Sequence, residues 1–210
     1  AIKWRNSSFS GWFSAACVAD KTVYVGYHQQ LPVLADYLCA FDEATGAVKW
    51  MCLIDEALPY AISAPTAANG SVYICDWLQG LAAVDASTGK LKWRFTTNFT
   101  TVKPCVYKDL VIIAGGEGKV VAAINESDGS LRWSYLGANT TSGPVVVNDT
   151  LFVGGYSFSV GRNLYAFNPL SGATYWYAGA MYGANSFSTP FVYHNKVFAG
   201  NDNNLLYSFE

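Results

Sequence analysis

Short apolar runs separated by polar turns recur along the whole chain, and they fall into a repeating arrangement. In one kind of segment an alternating run such as Y37LCAF leads into a polar turn and then into a second run that carries a tryptophan. Alternation of this kind predicts strands with one buried face, so each segment predicts a β-hairpin. Four segments are copies of one pattern: A40FDEATGAVKW50, A83VDASTGKLKW93, A123INESDGSLRW133 and A166FNPLSGATYW176. Trp50, Trp93, Trp133 and Trp176 follow one another at steps of 43, 40 and 43 residues. Gly46, Gly89, Gly129 and Gly172 close the turns, where a positive φ is needed.

A second hairpin precedes each of these. Pro65, Pro104, Pro144 and Pro190 open a short apolar strand, a turn follows (Asn69-Gly70, Lys108-Asp109, Asn148-Asp149, His194-Asn195), and then VYIC, VIIAG, LFVGG or VFAG. Proline at the first position of a strand removes no ladder hydrogen bond. Each repeat thus predicts four antiparallel strands, A to D, and four strands per unit of roughly 42 residues is the arithmetic of a propeller blade. The expected fold is all-β, a β-propeller of about five blades in one domain over residues 1–210. The expected blades cover about 12–54, 62–97, 102–137, 142–180, and 187–210 together with 1–5. The last is composite: L206YSFE aligns with L38CAFD, and A1IKW, with Trp4, aligns with A47VKW. The N-terminal strand would then complete the last blade and remove its free edge.

The pattern Ala-x-Asp-x-x-Thr-Gly-x-x-x-Trp resembles the tryptophan-docking motif of the pyrroloquinoline-quinone (PQQ)-like repeat family. That family includes quinoprotein dehydrogenases and non-enzymatic scaffold propellers. The resemblance covers nearly the whole chain. It implies rings of seven or eight blades, so five would be a compact ring or a segment of a longer one. It also raises a quinone-dependent dehydrogenase as a hypothesis, with adjacent cysteines, calcium and a catalytic Asp. Here no two of the five cysteines (Cys17, Cys39, Cys52, Cys75, Cys105) are adjacent, and the scaffold members are the better likeness. No cofactor is expected.

Composition narrows the partners. The chain is 51% hydrophobic, 16% aromatic and only 13% charged, which suits a β-rich protein with partners better than one solvated over its whole surface. Net charge is −2 without basic clusters, so neither nucleic acid nor an anionic membrane is an expected partner. No apolar run approaches the roughly 18 residues of a transmembrane helix, and membrane insertion is not expected. Six of thirteen Asn residues begin an N-x-Ser/Thr sequon, against about two expected from the Ser and Thr content. Asn69 and Asn148 fall in A–B turns and Asn125 in a C–D turn, on one face of the disc. Asn6, Asn98 and Asn139 follow strand D, on the other. N-linked glycans and a secreted location follow as expectations, with a bacterial periplasm as the alternative.

The remaining candidates have modest readings. His28, in the insertion Y27HQQLPVLADY37, lies near Asp36 and would serve as acid or base beside a nucleophile, though a loop residue is the plainer expectation. His194 reads as a turn residue, G115GEGKV120 as a B–C hairpin turn without the Ser/Thr of a phosphate loop, and N201DNN204 as another turn. Cys39 and Cys52, on adjacent strands, are the candidate disulfide, with buried thiols as the alternative. Cys17 and Cys105 occupy equivalent strand-A positions. Leu31, Val33 and Leu34 in the insertion, and the aromatics Tyr156, Phe158, Tyr182 and Phe187, mark a candidate interface. The function these features predict is a non-catalytic binding or self-assembly module. A sugar-binding propeller and a fragment of a larger quinoprotein-like enzyme are the alternatives.

Overall fold

A computed structural model of the chain describes residues 1–30, 32–56, 62–97, 102–115, 120–137, 142–155, 164–179, 188–194, 196–201 and 204–209. Described residues form strands and turns, and none is helical. The chain divides into two compact units, Ala1–Lys103 and Pro104–Glu210.

Unit one holds two antiparallel sheets, here called blades one and two. Blade one runs β1-β3-β4-β5, where β1 is Gly11–Phe13, β3 Thr22–Gln29, β4 Ala35–Asp42 and β5 Val48–Asp55; β2 (Cys17–Ala19) also pairs with β3. Strand A is therefore split in two. Blade two runs β6 (Thr66–Ala68), β7 (Ser71–Asp76), β8 (Gly80–Asp85) and β9 (Leu91–Phe95) in order. Unit two holds blade three, β10 (Cys105–Tyr107) to β13 (Leu131–Leu136) with β11 Leu110–Gly115 and β12 Val120–Asn125. Blade four follows with β14 Val145–Val147, β15 Thr150–Gly154, β16 Leu164–Phe167 and β17 Thr174–Ala178. Blade five has three strands, β18 Phe191–Tyr193, β19 Lys196–Gly200 and β20 Leu206–Phe209, and residues 1–10 form none.

The physical basis of the repeat is visible in its registers. Ala40, Ala83, Ala123 and Ala166 lie directly across the ladder from Trp50, Trp93, Trp133 and Trp176, and all four alanines are fully buried. A register shift follows immediately, at Ala40/Phe41, Ala83/Val84, Ala123/Ile124 and Ala166/Phe167. Such a bulge adds twist and re-aims the side chains beyond it. The Asp or Asn two places on from the alanine ties the turn. Asp42 Oδ1 accepts from Ala44 N, Thr45 N and Thr45 Oγ1, and Asp85 Oδ1 accepts from Ser87 N, Ser87 Oγ, Thr88 N and Thr88 Oγ1. These bonds favour the charged form and hold the Asp85 carboxyl down at about 2.

A second repeated device escaped the sequence reading. Ser14, Ser63, Ser142 and Ser188 each accept the backbone N–H of a glycine or cysteine in strand B, at Gly26, Cys75, Gly154 and Gly200. The signal was a serine two residues before the repeated proline in three blades. It is weak, because blade three carries Val102 there.

The candidate disulfide does not form. Cys39 lies opposite Met51 and Cys52 opposite Leu38, so the two cysteines are one position out of step on neighbouring strands. Alternation then turns them to opposite faces of the blade: Cys52 packs with Leu38 and Ala40, while Cys39 packs with Tyr27 and Phe41. None of the five cysteines is in a disulfide.

Candidate functional site

The motif tryptophans dock. The Trp50 indole N–H donates to the carbonyl of Ala86 (3.0 Å), in the C–D turn of the following blade, and the ring lies flat on Gly89. Trp133 does the same in unit two, donating to Pro169 O (3.0 Å) above Gly172. A Cβ on Gly89 or Gly172 would come within 2.7 or 2.6 Å of ring carbons, and both residues have a φ near +71–72°. Glycine is required there twice over, for space and for backbone. Trp4 donates to Glu43 O (2.9 Å) and covers Gly46 in the same way. That placement makes A1IKW the structural counterpart of A47VKW. Trp93 packs on Tyr73, and Trp176 on Phe152 and Phe209. Gly129 has φ 76° and donates its N–H to Asn125 O, as Gly46 does to Asp42 O.

The site with the most unusual chemistry lies at the other end of the strands in unit one. His28 is not in a loop. It pairs in register with Trp12 on β1 and with Asp36 on β4, and Asp36 in turn lies opposite Asp55 on β5. The insertion is shorter than the sequence suggested, because strands β3 and β4 run on through His28 and Asp36 to Gln29 and Ala35. His28 Nδ1 and Asp36 Oδ1 are 2.8 Å apart, and the Trp12 ring stacks on the imidazole at 5.2 Å. Asp76, the last residue of β7, is brought to the same place. Its Oδ1 accepts from Leu78 N (3.0 Å) and Gln79 N (2.9 Å), and the Gln79 side chain reaches Asp55 Oδ1 at 3.4 Å. Asp36 is 0% exposed, and Asp55 and Asp76 are buried beside it. Burial, and then the Asp76 carboxyl, push the Asp36 carboxyl up to about 6 against the opposing pull of His28. The nucleophile that a His–Asp catalytic reading needs is not offered by Ser63 on the neighbouring segment. Its hydroxyl donates to Ala64 O and accepts from Cys75 N.

Beside this cluster the surface is apolar. Trp12 is 63% exposed, Val33 60% and Leu34 51%, with Phe13 exposed next to them. Trp12 and Phe13 lie on β1 opposite His28 and Tyr27, and Val33 and Leu34 lie just before Ala35, which pairs with Gln29 at the end of β3. Leu31, Tyr156, Phe158, Tyr182 and Phe187 lie outside the described residues, as do Asn98, Asn139, residues 116–119 and residues 202–203. Asn69 and Asn148 are exposed at positive φ in their turns. Asn125 is half-buried, and its amide is engaged with Ser130 Oγ (2.7 Å) and the Arg132 guanidinium (2.7 Å). Asn6 corrects the expected face: its amide donates to Gly46 O (3.1 Å), at the C–D turn end of blade one. His194 sits in its turn with φ 47° and stacks on Tyr193.

One family matches the chain, described as outer membrane protein assembly factor BamB, over residues 1–141 and again over 123–210. No curated protein matches. Among solved structures, BamB from Moraxella catarrhalis is similar with a TM-score of 0.63 at 15% identity, covering 99% of this chain and 85% of its own. A quinohemoprotein alcohol dehydrogenase from Comamonas testosteroni is similar at TM-score 0.74 and 16% identity, covering 99% of this chain and 42% of its own. A europium-containing methanol dehydrogenase gives 0.73 at 15% identity, with 96% and 50% covered. The chain thus spans half or less of these dehydrogenases. At such identities the likeness shows the fold, a β-propeller. The residues present do not fit a quinone and its metal. No cysteines are adjacent, and among the described residues no three of His, Cys, Asp and Glu are arranged to hold an ion. The acidic cluster of unit one is closed, with Asp36 and Asp76 buried against each other.

Proposed function

Because the chain belongs to the BamB-type family of PQQ-like repeat propellers, we propose that it is a non-catalytic module that binds another protein, or copies of itself, in an assembly process. The observation that carries this reading is the exposed apolar group Trp12, Val33 and Leu34 at one end of blade one. Exposed patches of this sort mark interfaces. A photoreactive residue at position 12 should trap protein adducts in native cells or sister-copy adducts at high concentration. The double variant Val33→Asp, Leu34→Asp should lose them while keeping its circular dichroism and melting midpoint. Adducts that persist at full yield in the double variant would exclude this surface. Oxidation of alcohols by the purified chain with added quinone would replace the proposal by the enzyme reading.

The reading places the protein outside the cytoplasm, as a secreted glycoprotein. Endoglycosidase treatment of native material is then expected to remove mass at Asn69 and Asn148, whose turns face solvent. Asn125 should stay unmodified because its amide is already used inside its own turn. Absence of any mass change moves the protein to a bacterial periplasm.

A further inference from the structure

We propose that Asp36 and Asp76 hold a single proton between them, and that this proton latches the β7–β8 turn of blade two onto blade one. Each carboxyl has one oxygen satisfied, Asp36 Oδ1 by His28 and Asp76 Oδ1 by the amides of Leu78 and Gln79. The other oxygen of each, Oδ2, is buried and receives no hydrogen bond from a donor group. The two carboxyls are in contact. Two ionised carboxylates side by side in a water-poor interior repel, whereas one shared proton makes one of them a donor and the other an acceptor.

The surrounding charges require the same proton. From β3 the cluster faces His28, from β5 Asp55, from β7 Asp76, and from β9 Arg94, whose guanidinium is bound to the carbonyls of Leu53 (3.5 Å) and Ile54 (2.8 Å). A charged His28 would balance one of the three carboxyls. The joint itself is tight: Ile62 bridges to Asp76, and a Cβ on Gly26 of β3 would meet Ile62 and Ser63 at 2.9 Å. Asp36 is held in the middle of its sheet between β3 and β5, so the element free to move is the Asp76–Gly80 turn, which carries Trp77, Leu78 and Gln79.

The Asp36 carboxyl, raised from 3.8 to about 6, binds its proton more tightly in the closed state than in an open one. The latch is therefore fully present below the ordinary value, weakens as pH rises, and is lost once pH passes the closed-state value. Amide exchange at Trp77, Leu78 and Gln79, corrected for intrinsic rates, should report an opening constant that rises severalfold as pH passes from about 4 to about 7, by the part of the Asp36 shift that Asp76 contributes, and then levels off. The carboxyl carbon of Asp36, followed by NMR, should titrate near the raised value. In Asp36→Asn the amide donates permanently to Asp76, so the turn should stay closed and its exchange lose this pH dependence. Asp76→Asn should do the same from the other side and covers the case in which Asp36→Asn fails to fold. A flat exchange profile in the wild-type chain, an Asp36 titration at the ordinary carboxylate value, or an undiminished rise in the variants overturns the latch.

Discussion

Replacing Trp50 by alanine is expected to lower stability by about 3 kcal/mol, read as a shift of the urea midpoint at unchanged slope. The ring is half-buried, so the cost sits at the low end of the range for truncating large aromatics, about 3–5 kcal/mol. Three contributions are lost together. The carbonyl of Ala86 loses its 3.0 Å indole donor and keeps only the longer bond from the Tyr24 hydroxyl (3.4 Å), the flat cover over Gly89 disappears, and the tilted contact with Tyr24 at 5.8 Å is broken. Around it lies the cluster of Tyr24, Leu38, Ala40, Ile54, Val72, Ile74 and Val84, drawn from both blades of unit one. Trp12→Ala is the internal control. That ring is mostly exposed and touches His28 by stacking, and its loss should cost well under half as much. Equal effects from the two substitutions would remove the docking motif from the account of stability.

Removal of residues 1–9 should have the second large effect, a loss of about 3–5 kcal/mol, although this segment forms no strand. Trp4 covers Gly46 and bonds to Glu43 O, Asn6 holds Gly46 O, and Phe9 makes edge contacts with Phe13, Tyr27 and Phe41 at 4.9–5.5 Å. Together they cover the blade-one face that carries Val23, Val25 and Phe41, around a small apolar cavity of about 150 Å³ lined also by Phe13. Without them that face is open to water. Thermal unfolding of the truncated chain beside Trp4→Ala apportions the effect. An unchanged midpoint in the truncated chain would show the segment to be peripheral.

Much of the architecture was legible before any coordinates. The Trp-to-Trp steps, the turn glycines and the alternating runs predicted the strands, and the likeness of A1IKW to A47VKW matches the docking of Trp4 on Gly46, although residues 1–10 form no strand. These signals are local: a positive φ, a turn-tying Asp and a two-residue period are written within eleven residues. The repeat amplified them, because a pattern met four times in phase outweighs the ambiguity of a single copy.

The candidate site was much less legible. His28 and Asp36 were noticed as neighbours in sequence, yet their burial was not foreseen, because the polar insertion between them suggested a loop where the two strands continue. Asp55 and Asp76 carried no sign of belonging with them. They meet Asp36 through a register shift between Asp36 and Tyr37 and through the packing of blade two's β7–β8 turn on blade one, and neither is a property of any short stretch of chain. The same one-position register separated Cys39 from Cys52, since a slip of one residue moves a side chain to the other face of a strand. The amino-acid sequence alone therefore determined the repeat, its strands and its docking tryptophans, which depend on interactions a few residues long. Only the tertiary structure decided which polar groups would be buried together, because register and blade packing choose the neighbours, and the neighbours set the charge each group can carry.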